Sequence, residues 1–180
     1  MHVETKKVAT AGLLVAFSVI LMWLSSMIEM STLFFISAAS FCVGIAIREW
    51  GLKYGLAFGV ASFLLNLFVT PEKLYCFTYG AMGIYIWFNE WLYFKLGESR
   101  KVRRRVLWLW IGKYLCFNVI YIPILFFAPK LVFTGKINGL SVGLFWILGQ
   151  IGLYVYDVAY RYFQSQIWGK IRNSKSFQRN

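Results

Sequence analysis

Apolar residues run along this chain in blocks, and the polar ones gather between the blocks. Runs of about 17–25 predominantly apolar residues are long enough to cross a hydrocarbon layer as helices. Six such runs are predicted, at about 8–28, 32–48, 51–70, 74–94, 106–127 and 139–163. The second and third are parted only by the stretch REWGLK, and the last is long enough to tilt or to pass the interface. Between the third and fourth lies TPEK, where Pro71 ends a span and Glu72 and Lys73 can stay in water. No convincing cleavage site follows the first run, so it reads as a permanent helix rather than a signal peptide.

The positions of the charges add an orientation. Of the 19 Lys and Arg residues, 15 fall at the termini or in the second and fourth connections. The opposite connections hold Lys73, Lys130 and Lys136, and Lys113 lies inside the fifth run. Short cytoplasmic loops carry the excess of Lys and Arg. Both termini are therefore predicted to be cytoplasmic, and the TPEK turn external. ESRKVRRR in the fourth connection reads first as part of that orientation signal, and it could also touch anionic lipid.

Composition supports the same class. The chain has 180 residues, 59% hydrophobic, 20% aromatic and 14% charged. A soluble domain is usually below half apolar, and a bilayer would cover the surplus. The expectation is an all-α polytopic membrane protein, one domain over 1–180, ending in a basic cytoplasmic tail at 164–180. The net charge of +12 is then an orientation signal rather than a nucleic-acid footprint, so no nucleic-acid partner is expected. Cys42, Cys76 and Cys116 are odd in number and widely spaced within apolar runs, which suits packing rather than disulfides or zinc. With His2 as the only histidine, a His-based metal centre or Ser-His nucleophile is not expected, and no metal or cofactor is assigned.

Small residues recur every four positions: Gly12 and Ala16; Ala38, Cys42 and Ala46; Gly51, Gly55 and Gly59; Gly139 and Gly143. That spacing puts them on one helix face, where another backbone can approach closely, within this chain or from a separate subunit.

Polar groups at membrane depth are costly and point to function. Sorted by the predicted orientation, Glu29, Asn66, Glu72, Lys73, Tyr75, Tyr79, Asn118, Tyr121, Asn138, Trp146 and Gln150 share the external leaflet. Together they would suit an externally open polar pocket. The plainer alternative is that Tyr and Trp mark the interface and that an Asn or Gln bridges two helices. Asn89, Glu90 and Asp157 fall toward the cytoplasmic ends, where Lys95 or Arg161 could pair with the acids. There is no Walker A loop, no HExxH and no evident inverted repeat, so active transport would need energy from elsewhere.

The opening KKVATAGLLVAFSVIL, six runs and the basic character resemble the substrate-binding S-components of energy-coupling factor (ECF) transporters. A Lys pair leading into a small-residue-rich first helix is similar to the Ala-xxx-Ala face with which that family contacts its coupling subunit. Gly12 and Ala16, with Ala9 close by, are the nearest match here. The resemblance implies a non-enzymatic subunit of the bacterial plasma membrane that binds a small, vitamin-like solute from outside. It implies docking on a transmembrane coupling subunit driven by two ATPase subunits, with toppling of the solute-binding subunit in the membrane. It also implies that Ser25 to Thr32, Thr70 to Lys73 and Ala128 to Asn138 lie near the pocket. Membrane lipids are the remaining partner. A scaffold or assembly factor without a small ligand is the competing reading, since it would use the same glycine faces and basic loops. A membrane enzyme stands third, for want of a nucleophile, base and metal constellation.

Overall fold

A lipid interior offers no water to backbone amides, so a chain this apolar must satisfy them within helices or a closed barrel. The computed structural model describes residues 2–28, 31–98, 105–127 and 139–170, and there it is helical, with no strand. Six α-helices occupy the six apolar runs: α1 His2–Met27, α2 Thr32–Trp50, α3 Leu52–Val69, α4 Lys73–Glu98, α5 Arg105–Phe127 and α6 Gly139–Tyr162. A π-helical segment, Phe163–Trp168, continues α6 into what the sequence suggested as tail. The ends differ most from expectation. Helix α1 begins before its apolar run, and α4 carries on past Phe94 through Lys95.

Among the described residues, four stretches are long and apolar enough to cross a membrane: Lys7–Met27, Thr32–Trp50, Leu52–Val69 and Val106–Pro123. Helices α4 and α6 match them in length, at 26 and 24 residues. They are more polar, carrying Asn89, Glu90 and Lys95, or Gln150, Asp157 and Arg161. Large apolar side chains stand exposed along the helices, among them Phe17, Phe34, Phe68, Val119 and Val155. Exposed apolar surface on that scale is what lipid covers.

The chain divides into two compact units, Met1–Arg105 and Val106–Asn180. In the first, α2 packs against α1, α3 and α4. Every residue from Ala39 to Ile47 is buried, so over that length α2 keeps no face for lipid. Among its described side chains, helix α1 buries a stripe, Leu14, Ser18, Met22 and Ser25.

Gly51 alone links α2 to α3. Its φ of 91° and ψ of 169° belong to a region that only glycine occupies readily. Four residues on, a Cβ at Gly55 would lie 2.9 Å from the Ile47 Cα, so its absence lets the two helices close up. Gly59 continues that contact, with the nearest Val43 methyl 3.6 Å from its Cβ position. The α3 small-residue face is thus spent inside the chain, at Gly55 and Gly59 against Ile47 and Val43 of α2.

At the next turn, Thr70 is extended (φ −78°, ψ 129°), as a residue before proline prefers. Lys73 Nζ donates to the carbonyls of Leu67 at 2.6 Å and Thr70 at 3.0 Å, capping the end of α3. In the second unit, Pro123 lies inside α5 and removes the amide that would bond the Val119 carbonyl.

Candidate functional site

Serine spacing on two helices and a tyrosine on a third build a buried polar strip in the 1–105 unit. Ser62 and Asn66 sit one turn apart on α3, and Cys76 and Tyr79 one turn apart on α4. The Tyr79 hydroxyl lies 2.7 Å from Ser62 Oγ and accepts a bond from Ser18 Oγ of α1 at 3.3 Å. The Cys76 thiol donates to the Asn66 backbone carbonyl at 3.3 Å. Asn66 and Thr70 complete the strip, and all six of these residues are buried.

Asn66 differs from its neighbours. It is fully buried, yet neither Nδ2 nor Oδ1 has a partner among the described residues. Leaving a buried amide unmatched costs on the order of 1–3 kcal/mol. Ser18 and Ser62 were not singled out from the sequence, because serine is unremarkable in a membrane helix. Their alignment with Asn66 and Tyr79 appears only when the helices are placed together.

Other external-side candidates in this unit have different surroundings. Glu72 is exposed on the turn, Tyr75 is half-buried in the first turn of α4, and Lys73 is committed to the α3 carbonyls. Glu29 lies outside the described residues, as does Asn138.

In the 106–180 unit, Asn118, Trp146 and Gln150 converge and satisfy one another. Asn118 Oδ1 accepts from Trp146 Nε1 at 3.0 Å and from Gln150 Nε2 at 3.0 Å. Asn118 Nδ2 donates to the Tyr114 carbonyl at 2.8 Å and to Gln150 Oε1 at 3.4 Å. The Tyr121 hydroxyl donates to the Phe145 carbonyl at 3.0 Å. Its ring fills the space over Gly149, lying 2.5 Å from where a Cβ would be. This arrangement bonds α5 to α6 in the manner of polar groups between membrane helices.

The acids sort themselves across the chain. Glu90 accepts from Arg48 Nη2 at 2.7 Å and Nε at 2.9 Å, whereas Lys95 lies over the Trp91 ring at 4.9 Å. Asp157 meets Arg161 as its spacing suggested, at 3.1 Å, and also Lys113 at 2.7 Å. No three His, Cys, Asp or Glu side chains come together as a metal set among the described residues. Gly139 to Gly143 has the G-x-S-x-G spacing of a nucleophile elbow, but it opens helix α6 with no described strand before it. The only histidine is His2, so that spacing has no imidazole base at its own end of the sequence.

The small-residue face of α1 is open. Ala9, Gly12 and Ala16 are exposed, and a Cβ on Gly12 would meet nothing within 4 Å. Gly143 of α6 is open in the same way.

Comparison of the chain with protein-family models, with curated proteins and with solved structures gives no match.

Proposed function

We propose that this chain is the solute-binding membrane subunit of an ECF-type transporter. It spans the bacterial plasma membrane six times with both termini cytoplasmic, and takes a small, vitamin-like solute from outside. The observation that carries this reading is the amide of Asn66, buried at membrane depth with donor and acceptor unspent. A solute with an amide or lactam edge would complete both bonds and recover the desolvation cost.

Three residues contact the solute on this reading. Asn66 supplies the paired donor and acceptor. Tyr79, held by Ser18 and Ser62, offers its ring and hydroxyl one turn deeper. Tyr75 stands at the rim beside the Thr70–Lys73 turn. The solute enters past that turn, which is the external cover of the strip.

Energy comes from outside the chain, through a transmembrane coupling subunit and its two ATPase subunits. The open face of Ala9, Gly12 and Ala16 supports docking of such a subunit, because no part of the described chain fills it at Gly12. Close backbone approach at small residues is how membrane helices associate without a hydrophobic drive.

Affinity purification from the native membrane tests the reading. The chain should co-elute with a coupling subunit and ATPases, and release a small organic molecule detectable by mass spectrometry. Recovery of the folded chain with neither companion subunits nor any small molecule would end it.

A further inference from the structure

Helix α3 ends with unspent polar groups one turn apart. The Thr70 amide donates to the Asn66 backbone carbonyl at 2.8 Å, so the two side chains leave the same face of the helix. Both are fully buried. Thr70 Oγ1, like Asn66 Nδ2 and Oδ1, closes no hydrogen bond among the described residues. The Cys76 sulfur is close to the Thr70 hydroxyl. That thiol gives its proton to the Asn66 carbonyl at 3.3 Å, and sulfur is a weak acceptor, so the hydroxyl is not satisfied there.

The three atoms differ in what they ask of a solute. Asn66 offers a donor in Nδ2 and an acceptor in Oδ1, whereas the Thr70 hydroxyl carries one donor and two lone pairs. A buried donor left unmatched is rarer in proteins than an under-used acceptor, so the hydroxyl proton is the part a solute must meet. The complementary edge is then an N–H flanked by two carbonyls. A lactam supplies the N–H and one carbonyl only.

Charge narrows the class further. The strip of Ser18, Ser62, Asn66, Thr70, Cys76 and Tyr79 carries no charged side chain at neutral pH. The nearby Lys73 ammonium is held by the carbonyls of Leu67 and Thr70. A carboxylate would set its lone pairs against Asn66 Oδ1 and would be buried without a partner of its own. Both side chains are closed off from solvent, so a ring reaches them only when the Thr70–Lys73 turn gives way.

We propose that Thr70 is a further solute-contacting residue and that the site takes a neutral cyclic imide. Asn66 Oδ1 accepts from the imide N–H, Asn66 Nδ2 donates to one carbonyl, and Thr70 Oγ1 donates to the other. The assignment rests on solute binding at Asn66, which it narrows from an amide edge to an imide.

Glutarimide and δ-valerolactam, six-membered rings that differ by one carbonyl, are the probes. Each is titrated into the full chain in detergent micelles, washed free of co-purifying solute, and the rise in unfolding temperature gives its Kd. Wild-type chain should bind glutarimide about tenfold more tightly than δ-valerolactam, the range of one added hydrogen bond. N-methylglutarimide, which lacks the donor, should bind more weakly than glutarimide. Thr70→Val should remove the glutarimide advantage and leave δ-valerolactam binding unchanged, while Thr70→Ser keeps the advantage. Thr78→Val, at an exposed threonine whose hydroxyl bonds the Leu74 carbonyl, should change neither. Equal affinities in the wild-type chain, or an advantage that survives in Thr70→Val, overturns the imide assignment and leaves the amide reading of Asn66 standing. Failure of both rings to bind overturns the two together.

Discussion

Lys113 Nζ donates to Asp157 Oδ1 at 2.7 Å, with side-chain exposures of 2% and 0%, and so ties α5 to α6 through a buried ion pair. Burying both charges is expensive, and the arrangement is stable only while each has its partner. Asp157 has a second cation in Arg161, at 3.1 Å from its other oxygen. Asp157→Leu removes the carboxylate paired with the buried Lys113 ammonium and should cost about 3–5 kcal/mol. Lys113→Met should cost less, and the double substitution should recover much of the loss. Unfolding of the four proteins in mixed micelles gives the comparison; equal losses from the two single changes would contradict it.

The glycines of α1 and α3 should respond in opposite ways. Gly55→Ala pushes a methyl group toward the Ile47 backbone and should destabilise the chain by about 1–3 kcal/mol. Gly12→Leu meets open space and should leave stability within about 0.5 kcal/mol. On the proposed function, Gly12→Leu instead weakens association with the coupling subunit while solute binding persists. Thermal unfolding and co-elution read the two effects separately.

Asn66→Leu removes an unmatched buried amide and puts an apolar side chain of similar size in its place. Stability of the empty protein should rise by about 1–3 kcal/mol. The co-purifying solute should be lost. A stabilised variant that still carries the solute would show that Asn66 does not contact it.

Lys73→Met should cost stability only, about 0.5–1 kcal/mol, since its ammonium is spent on the last carbonyls of α3. Solute retention should be unaffected, and a loss of solute with unchanged stability would return Lys73 to the binding residues.

The six helices were legible because uninterrupted apolar length is itself the signal, and it depends little on what each helix packs against. Their partners were not legible. Glu90 bonds Arg48, forty-two positions away, although Lys95 is the nearer cation along the chain. Helix periodicity reports neighbours one turn apart, which is why the Asp157–Arg161 pair could be anticipated and Lys113–Asp157 could not. The site divides in the same way. Asn66 and Tyr79 stand out by type, whereas Ser18 and Ser62 acquire meaning only from the tyrosine hydroxyl between them. Asn118 and Gln150 were marked as polar groups of a pocket. The sequence could not show that each would use the other as its hydrogen-bond partner.

The single residue between α2 and α3 also bears on how the protein is made. With only Gly51 between Trp50 and Leu52, the connection has no slack for one helix to enter the bilayer while the other waits outside it. The two must enter the bilayer together, as a hairpin. Because α2 has no lipid-facing side from Ala39 to Ile47, that hairpin reaches its final environment only when α1 and α4 close around it. Biogenesis of this unit therefore depends on its first and fourth helices arriving in time to shield the second.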